Sequence, residues 1–165
     1  MKEKVSYAQK QLTDALLKLL KKKKLNEITV SELCSKAQLS RLSFYRNYDS
    51  IEDILRKHLA NITVEFISET AVNYRTSSRE LFIKELFEHL LNHKGLIDLL
   101  FRNNLAYLLK EEFDRGFSAR SEEYDDLYRC YVASGAYFNL FYYWFINGCK
   151  EKPDELSALL DGFLV

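Results

Sequence analysis

Turn-forming residues are nearly missing from this chain of 165 residues, which has one Pro and five Gly. An all-β fold needs frequent turns, so their scarcity excludes one. The abundance of Leu, Lys and Glu favours helices instead. Cysteine is scarce too. Cys34, Cys130 and Cys149 are odd in number and far apart, without the spacing of a disulfide framework or a zinc site. Cys34 and Cys130 stand among apolar neighbours and read as small hydrophobes, which fits a reducing cytoplasm. The opening Met1-Lys-Glu-Lys lacks the apolar core of a secretion signal. A clear membrane span, ~18 apolar residues in a row, is also lacking. The nearest approach is Tyr131–Cys149, which is uncharged but holds two Asn, a Ser and four Tyr. It reads as a buried helix of a bundle. There is no Gly-rich phosphate loop, no Ser/His/Asp or Cys/His constellation, and no paired carboxylates in a plausible cleft. No enzyme activity and no cofactor are therefore expected. His89 and His93 stand four apart with no third ligand nearby, so no metal is expected either.

Net charge is zero, with 24 Lys and Arg against 24 Asp and Glu, but its distribution is uneven. Residues 1–60 carry 13 basic and 7 acidic side chains, a net of +6, and residues 61–165 a net of −6. A basic head on an acidic body suggests a polyanionic partner for the head alone. A chain of this length buries roughly 70% of its unfolded surface and needs no covalent staples.

Helical periodicity runs through the whole chain. Leu12, Ala15, Leu16, Leu19 and Leu20 form one stripe of a first helix over 6–23, with Ser6 as cap and Lys21–Lys24 at the end where cations suit the macrodipole. Thr29 with Glu32 makes a capping-box pattern before a short second helix over 30–37. Gln38-Leu39-Ser40 is a turn, and Ser40 caps a short third helix over 41–48. Ser50, with Asp53 closing a box, starts a long fourth helix. Its stripe includes Ile54, Leu55, His58, Leu59, Ile62 and Phe66. His58 there reads as a buried histidine, with a pH-switch role as the alternative. Ser77-Ser-Arg-Glu80 opens a helix to 92, and 93–102 forms a short one. Asn103 or Asn104 caps the next, to 117. A helix over 122–147 stops at Gly148, and Pro153 opens the last. The expected fold is all-α, with about nine helices.

Two short helices joined by a turn make a helix-turn-helix over 29–48. The second is too short and too polar for a core helix. Arg41, Ser43, Tyr45, Arg46 and Asn47 offer donors to a polyanion, and such a helix fits the major groove. Ser40 also places the start of that helix where backbone N–H groups meet a phosphate.

The residues themselves bear a family likeness. Ile28-Thr-Val-Ser-Glu-Leu-Cys-Ser-Lys-Ala-Gln-Leu-Ser40, Ser43-Phe-Tyr45, Tyr48 and Ser50-Ile-Glu-Asp-Ile-Leu55 follow the order of residue types in the DNA-binding domain of the TetR/AcrR family, which segment 6–66 closely resembles. The resemblance implies a helix-turn-helix DNA-binding domain over 1–50 and a ligand-binding, dimerisation domain over 51–165. It implies a homodimeric transcriptional regulator, a repressor released by a small-molecule effector, acting on double-stranded DNA in the cytoplasm without a membrane. By position, Tyr45 touches the DNA backbone, Ser43 and Asn47 meet phosphates, and Arg41 and Leu42 face base edges; Thr29, Ser40 and Arg46 complete the expected DNA-binding set. Phe44 and Tyr48 fill the core. Gln38 stands where the family usually has Gly. Asp49 and Ile51 stand where neutral or basic residues are common, Ile51 in place of a phosphate-binding Lys. These two departures motivate an alternative, a coactivator or regulator that works mainly through another protein with weakened DNA contacts. Lys36, Arg46 and Lys21–Lys24 offset them in part.

In the body, Ala133-Ser-Gly-Ala136, Trp144, Gly148 and Lys152-Pro153-Asp-Glu-Leu resemble the TetR subgroup that includes regulators of dihydroxyacetone kinase operons. The helix over 122–147 is apolar on almost every side and must be covered twice. One face holds Leu127, Tyr131, Ser134, Phe138, Phe141 and Phe145; the other holds Val132, Gly135, Tyr142 and Ile146. A second subunit is the expected second cover, with Gly135, Trp144, Leu156 and Leu160 at the dimer interface. Phe101, Tyr107, Phe138 and Tyr142 are the expected effector-pocket residues.

Overall fold

The computed structural model describes residues 6–70, 77–119 and 124–159. Those residues form nine α-helices and a single 3-10 turn, with no strand among them. The helices are α1 (Tyr7–Leu20), α2 (Val30–Ala37), α3 (Arg41–Tyr45), α4 (Ile51–Glu69), α5 (Arg79–Asn92), α6 (Lys94–Arg102), α7 (Ala106–Ser118), α8 (Tyr124–Ile146) and α9 (Pro153–Leu159). No described helix is long and apolar enough to cross a membrane. Leu160, expected at the dimer interface, lies outside the described residues.

The chain divides into two compact units. The first comprises residues 1–62 and 95–108, the second 63–94 and 109–165. Each draws on two separate stretches of sequence, and α4 and α7 each contribute to both.

In the first unit, α1 packs on α2 and α3, and α2 on α3. Leu12, Leu16, Leu33, Phe44, Ile54, Leu55 and Leu100 are fully buried. Burial of a Phe or Leu side chain contributes about 1.5–3 kcal/mol relative to exposure, so these side chains dominate the unit's stability. Local signals set the ends of the elements. Ser6 accepts from Gln9 N at 3.2 Å while Gln9 Oε1 accepts from Ser6 N at 2.7 Å, a complete capping box. Thr29 Oγ1 accepts from Glu32 N, but the Glu32 carboxylate does not return to Thr29. It binds Lys23 Nζ at 2.5 Å, so the expected box is half-formed. Helix α1 stops at Leu20, one turn before the expected end, and the lysines lie outside it. Asn104 ends α6 rather than opening α7. It has φ +59°, with Leu105 N donating to Leu100 O at 2.8 Å and Asn104 N to Phe101 O at 3.2 Å, the Schellman pattern.

In the second unit, α5 packs along α9. Its core is aromatic: Phe82, Phe87, Phe113, Phe117, Tyr137, Phe141, Trp144 and Phe145 are all buried. Phe87 stacks on Trp144 at 5.3 Å and meets Phe141 edge-on at 5.4 Å, arrangements that add about 0.5–1.5 kcal/mol per pair beyond area. Polar atoms inside are satisfied: Ser134, fully buried on α8, donates to Asp114, and Thr63 donates to Glu112. The cap of α5 is Ser78, which accepts from Leu81 N at 3.3 Å, one residue after the expected Ser77. Gly148, with φ +89°, ends α8 in a second Schellman motif, with Cys149 N donating to Trp144 O at 3.0 Å.

Candidate nucleic-acid interface

The helix-turn-helix is built from α2, a tight turn and α3. The turn is closed by Gln38, which adopts φ 55°, ψ 40°. Leu39 N donates to Cys34 O and Gln38 N to Ser35 O, so this end too is a Schellman motif, completed without glycine. Ser40 then caps α3, its Oγ accepting from Ser43 N at 3.1 Å. The regular part of α3 is five residues long and ends at Tyr45, shorter than the expected run to Tyr48. Asn47 explains the stop. Its side-chain amide donates to Ser43 O at 2.7 Å, occupying a carbonyl near the helix end.

The faces of α3 and its flanking residues are sharply divided. Phe44 is fully buried and Tyr48 nearly so, their rings 6.2 Å apart. Burial raises the Tyr48 phenol pKa, opposed by a hydrogen bond with Thr13 of α1 and by Lys57. Arg41, Leu42, Tyr45 and Arg46 lie on the outside, with Leu42 69% and Tyr45 54% exposed. An apolar residue that open, on a helix anchored by the ring beside it, is a group held out toward solvent. Thr29 and Ser40 are exposed, with hydroxyls engaged as caps. Ser43 and Asn47 are half-buried: Ser43 Oγ lies 3.0 Å from Ser40 Oγ, and Asn47 is turned back on α3. The caps and the buried rings therefore orient the outward row of Arg41, Leu42, Tyr45 and Arg46.

The start of α4 is tied down beside this row. Ser50 Oγ accepts from Asp53 N at 3.1 Å, and the Asp53 carboxylate accepts from Asp49 N at 3.2 Å rather than from Ser50, one residue off the expected box. Lys57 Nζ reaches Asp53 at 2.9 Å and Asn47 O at 2.8 Å and sits 5.0 Å over the Tyr48 ring. The hydrogen bond to Asp53 raises its pKa. Asp49 is exposed and Ile51 half-buried. Burial raises the Cys34 thiol pKa, against a lowering influence from Arg41.

The four residues expected around an effector are divided between the units. Phe101 and Tyr107 belong to the first, Phe138 and Tyr142 to the second. Tyr107 is largely exposed and donates to Glu52 at 2.6 Å, so its hydroxyl is committed to the first turn of α4 instead of a pocket. That bond lowers the Glu52 pKa, against its partial burial, with Arg56 adding to the lowering. Phe138 meets Phe113 edge-on at 5.6 Å and lies 6.0 Å from the ring of Tyr142.

Two expected interface residues are buried within the chain's own core. Trp144 is buried and donates through Nε1 to Glu151 O at 3.0 Å, and Leu156 is buried on α9. An apolar side chain on a helix does not declare which neighbour covers it, so the sequence fits an interface and a core equally at both positions. Leu160 lies outside the described residues. Gly135 is half-exposed on α8, and a Cβ there would meet nothing within 4 Å. It belongs to an outward row of α8 formed by Tyr128, Val132, Tyr142, Tyr143 and Ile146, with Val132 73% exposed. On the face that holds Leu127, Tyr131, Ser134, Phe141 and Phe145, Leu127 and Tyr131 are open, while Ser134, Phe141 and Phe145 are covered.

No family model and no curated protein matches the chain. Among solved structures it is similar to the fatty acid degradation regulator FadR from Bacillus halodurans. Identity is 17%, the match covers 96% of this chain and 93% of that one, and the TM-score is 0.53. A TetR family repressor, AlkX from Dietzia sp. strain DQ12-45-1b, implicated in biodegradation of n-alkanes, matches at 17% identity over 93% and 91% of the chains, with a TM-score of 0.46. The first likeness is one of fold, and it spans nearly the whole of both chains.

Proposed function

We propose that this chain is a TetR-type transcriptional regulator that binds double-stranded DNA as a homodimer through α3. The observation that carries the reading is the division of α3, with Phe44 locked into the core and Arg41, Leu42, Tyr45 and Arg46 turned outward on a capped, five-residue helix. Such a rod fits a major groove, with Arg41 and Leu42 on base edges and Tyr45 and Arg46 on the backbone. The net +6 over residues 1–60 supports a phosphate partner for that end of the sequence. The resemblance of segment 6–66 to the TetR DNA-binding domain points the same way.

The open apolar row on α8 supports the dimer. Val132, Tyr142, Tyr143 and Ile146, exposed on one side of α8 around Gly135 and the polar Asn139, support an interaction site there, and Gly135 leaves room for a partner helix. Repression, and release by an effector bound in the second unit, complete the proposal. The resemblance of Ala133–Ala136 and the Lys152–Leu156 stretch to regulators of dihydroxyacetone kinase operons supports that subgroup as part of the proposal. The test is a gel shift or footprint on the intergenic DNA flanking the gene, repeated over a range of salt. A log–log slope of affinity on salt of about −0.9 per phosphate contact is expected. Absence of salt-sensitive binding to any such fragment would sink the reading.

A second reading has support from Asp49, which is exposed next to α3 and would repel a phosphate. On it the chain is a coactivator that works through another protein. Ile51→Lys then raises DNA affinity markedly; unchanged affinity removes the case for it.

A further inference from the structure

Outside the helix-turn-helix, the first unit has a cleft between the C-terminal ends of α1 and α6, with a volume of about 410 Å³. We propose that it binds an organic polyphosphate of nucleotide size. The volume lies within the roughly 300–1,000 Å³ of small-molecule sites.

The charge on its walls is one-sided. Lys21, Lys22, Lys23, Lys24 and Arg102 line it, and Glu27 is the one carboxylate among the lining residues. Lys23 is paired with Glu32 at 2.5 Å, and Arg102 with Asp98 at 3.4 Å. Glu27 is also occupied, accepting from Lys24 N at 2.8 Å. Lys21, Lys22 and Lys24 are exposed and have no carboxylate partner among the described residues. All three line the one cleft, and a multivalent anion seated there is attracted by each of them.

The remaining lining is not that of a bare charge patch. Leu20 and Leu99 supply apolar surface. Asn103 donates its amide to Leu99 O at 2.8 Å and Leu20 O at 3.4 Å, which joins the two helix ends and leaves its Oδ1 as an acceptor. Apolar surface with one fixed acceptor suits the body of an organic phosphate and offers nothing to a free phosphate. No lining residue comes from α2 or α3, so the cleft is separate from the outward row of α3, and the titrations below decide whether its lysines serve a small polyanion or the duplex.

Isothermal titration of the full chain at about 100 mM salt, where exposed charges still act over ~10 Å, uses ATP and inorganic tripolyphosphate as probes. ATP is expected to bind with Kd on the order of 100 µM or tighter. The double variant Lys21→Glu/Lys22→Glu is expected to lose at least about tenfold in affinity for both probes, the scale of one strong charge contact each. Its melting curve should be unchanged, because both side chains are exposed. Leu99→Ala is expected to weaken ATP about threefold or more while sparing tripolyphosphate, by lost apolar contact. Three results overturn the proposal: no ATP binding by the unaltered chain, equal ATP affinity in the Lys21/Lys22 variant, or ATP and tripolyphosphate binding alike with neither sensitive to Leu99→Ala. If ATP fails to bind and the Lys21/Lys22 variant instead flattens the salt slope of DNA binding by about 2, the lysines belong to the duplex and the proposal is wrong.

Discussion

Gln38→Gly is expected to stabilise the protein. Gln38 closes the turn of the helix-turn-helix at φ 55°, ψ 40°, a left-handed conformation in which Cβ crowds the following carbonyl oxygen. An L-residue other than Gly loses about 1–2 kcal/mol there. Glycine removes that cost but brings a more flexible unfolded chain, which returns about 0.5–1 kcal/mol. The Gln38 side chain is exposed and engages no other side chain among the described residues, so little else is lost. The net gain is about 0.5–1 kcal/mol, which in a chain of this size raises Tm by about 1–4 °C. Urea unfolding reads it as a midpoint shift of about 0.3 M with the m-value unchanged. Gln38→Ala is the control, since it keeps Cβ and should change stability by less than about 0.5 kcal/mol. If Gln38→Ala stabilises as much as Gln38→Gly, the backbone conformation is not the cause. If Gln38→Gly destabilises, the left-handed residue is not under strain at all.

Four further outcomes are expected. Phe44→Ala removes a fully buried ring and should cost about 3–5 kcal/mol, seen as loss of the cooperative melt, whereas Tyr45→Ala, on the opposite face, should leave the melt alone and weaken the gel shift. Arg46→Ala should weaken binding evenly across DNA sequences and reduce the salt slope by about 1, while Arg41→Ala should change which sequences are preferred. Tyr107→Phe removes the bond that holds the Glu52 pKa down. A lowered carboxylate pKa contributes stability that is present above its unfolded value of about 4.3 and lost as pH falls through the folded value, so the variant should be less stable than the unaltered chain above about pH 4.3, with the difference closing at lower pH, measured by urea midpoints between about pH 3 and 6. Val132→Glu on the open row of α8 should turn a dimer into a monomer in light scattering without lowering helix content; an unchanged mass would move the dimer contact elsewhere.

The legibility of the sequence follows the range of the interactions involved. Ser6, Thr29, Ser40 and Ser50 are readable as caps because each hydroxyl meets a backbone N–H three residues on. Gly148 and Pro153 mark the ends around α9 for equally local reasons. Phe44 and Tyr48 fall inside as the pattern demands. The shortfalls concern partners distant in sequence or two equivalent donors. Glu32 leaves its box for Lys23, nine residues back, and Ser78 displaces an identical Ser77. Tyr107 looks like pocket lining until α6 and α7 bring it to Glu52, 55 residues away. Trp144 and Leu156 are apolar in any reading, and only the course of residues 147–152 shows that Trp144 turns inward to Glu151 O.

The unit that holds α3 is assembled from residues 1–62 together with 95–108. A fragment cut after residue 62 therefore lacks Ile97, Leu100, Leu105 and Leu108, all buried, and would leave their apolar counterparts facing water. It should be soluble only poorly, and a loss of DNA affinity in it would report misfolding, not the location of the reading head. The second unit is interrupted in the same way, so neither half of this protein can be excised as a continuous piece.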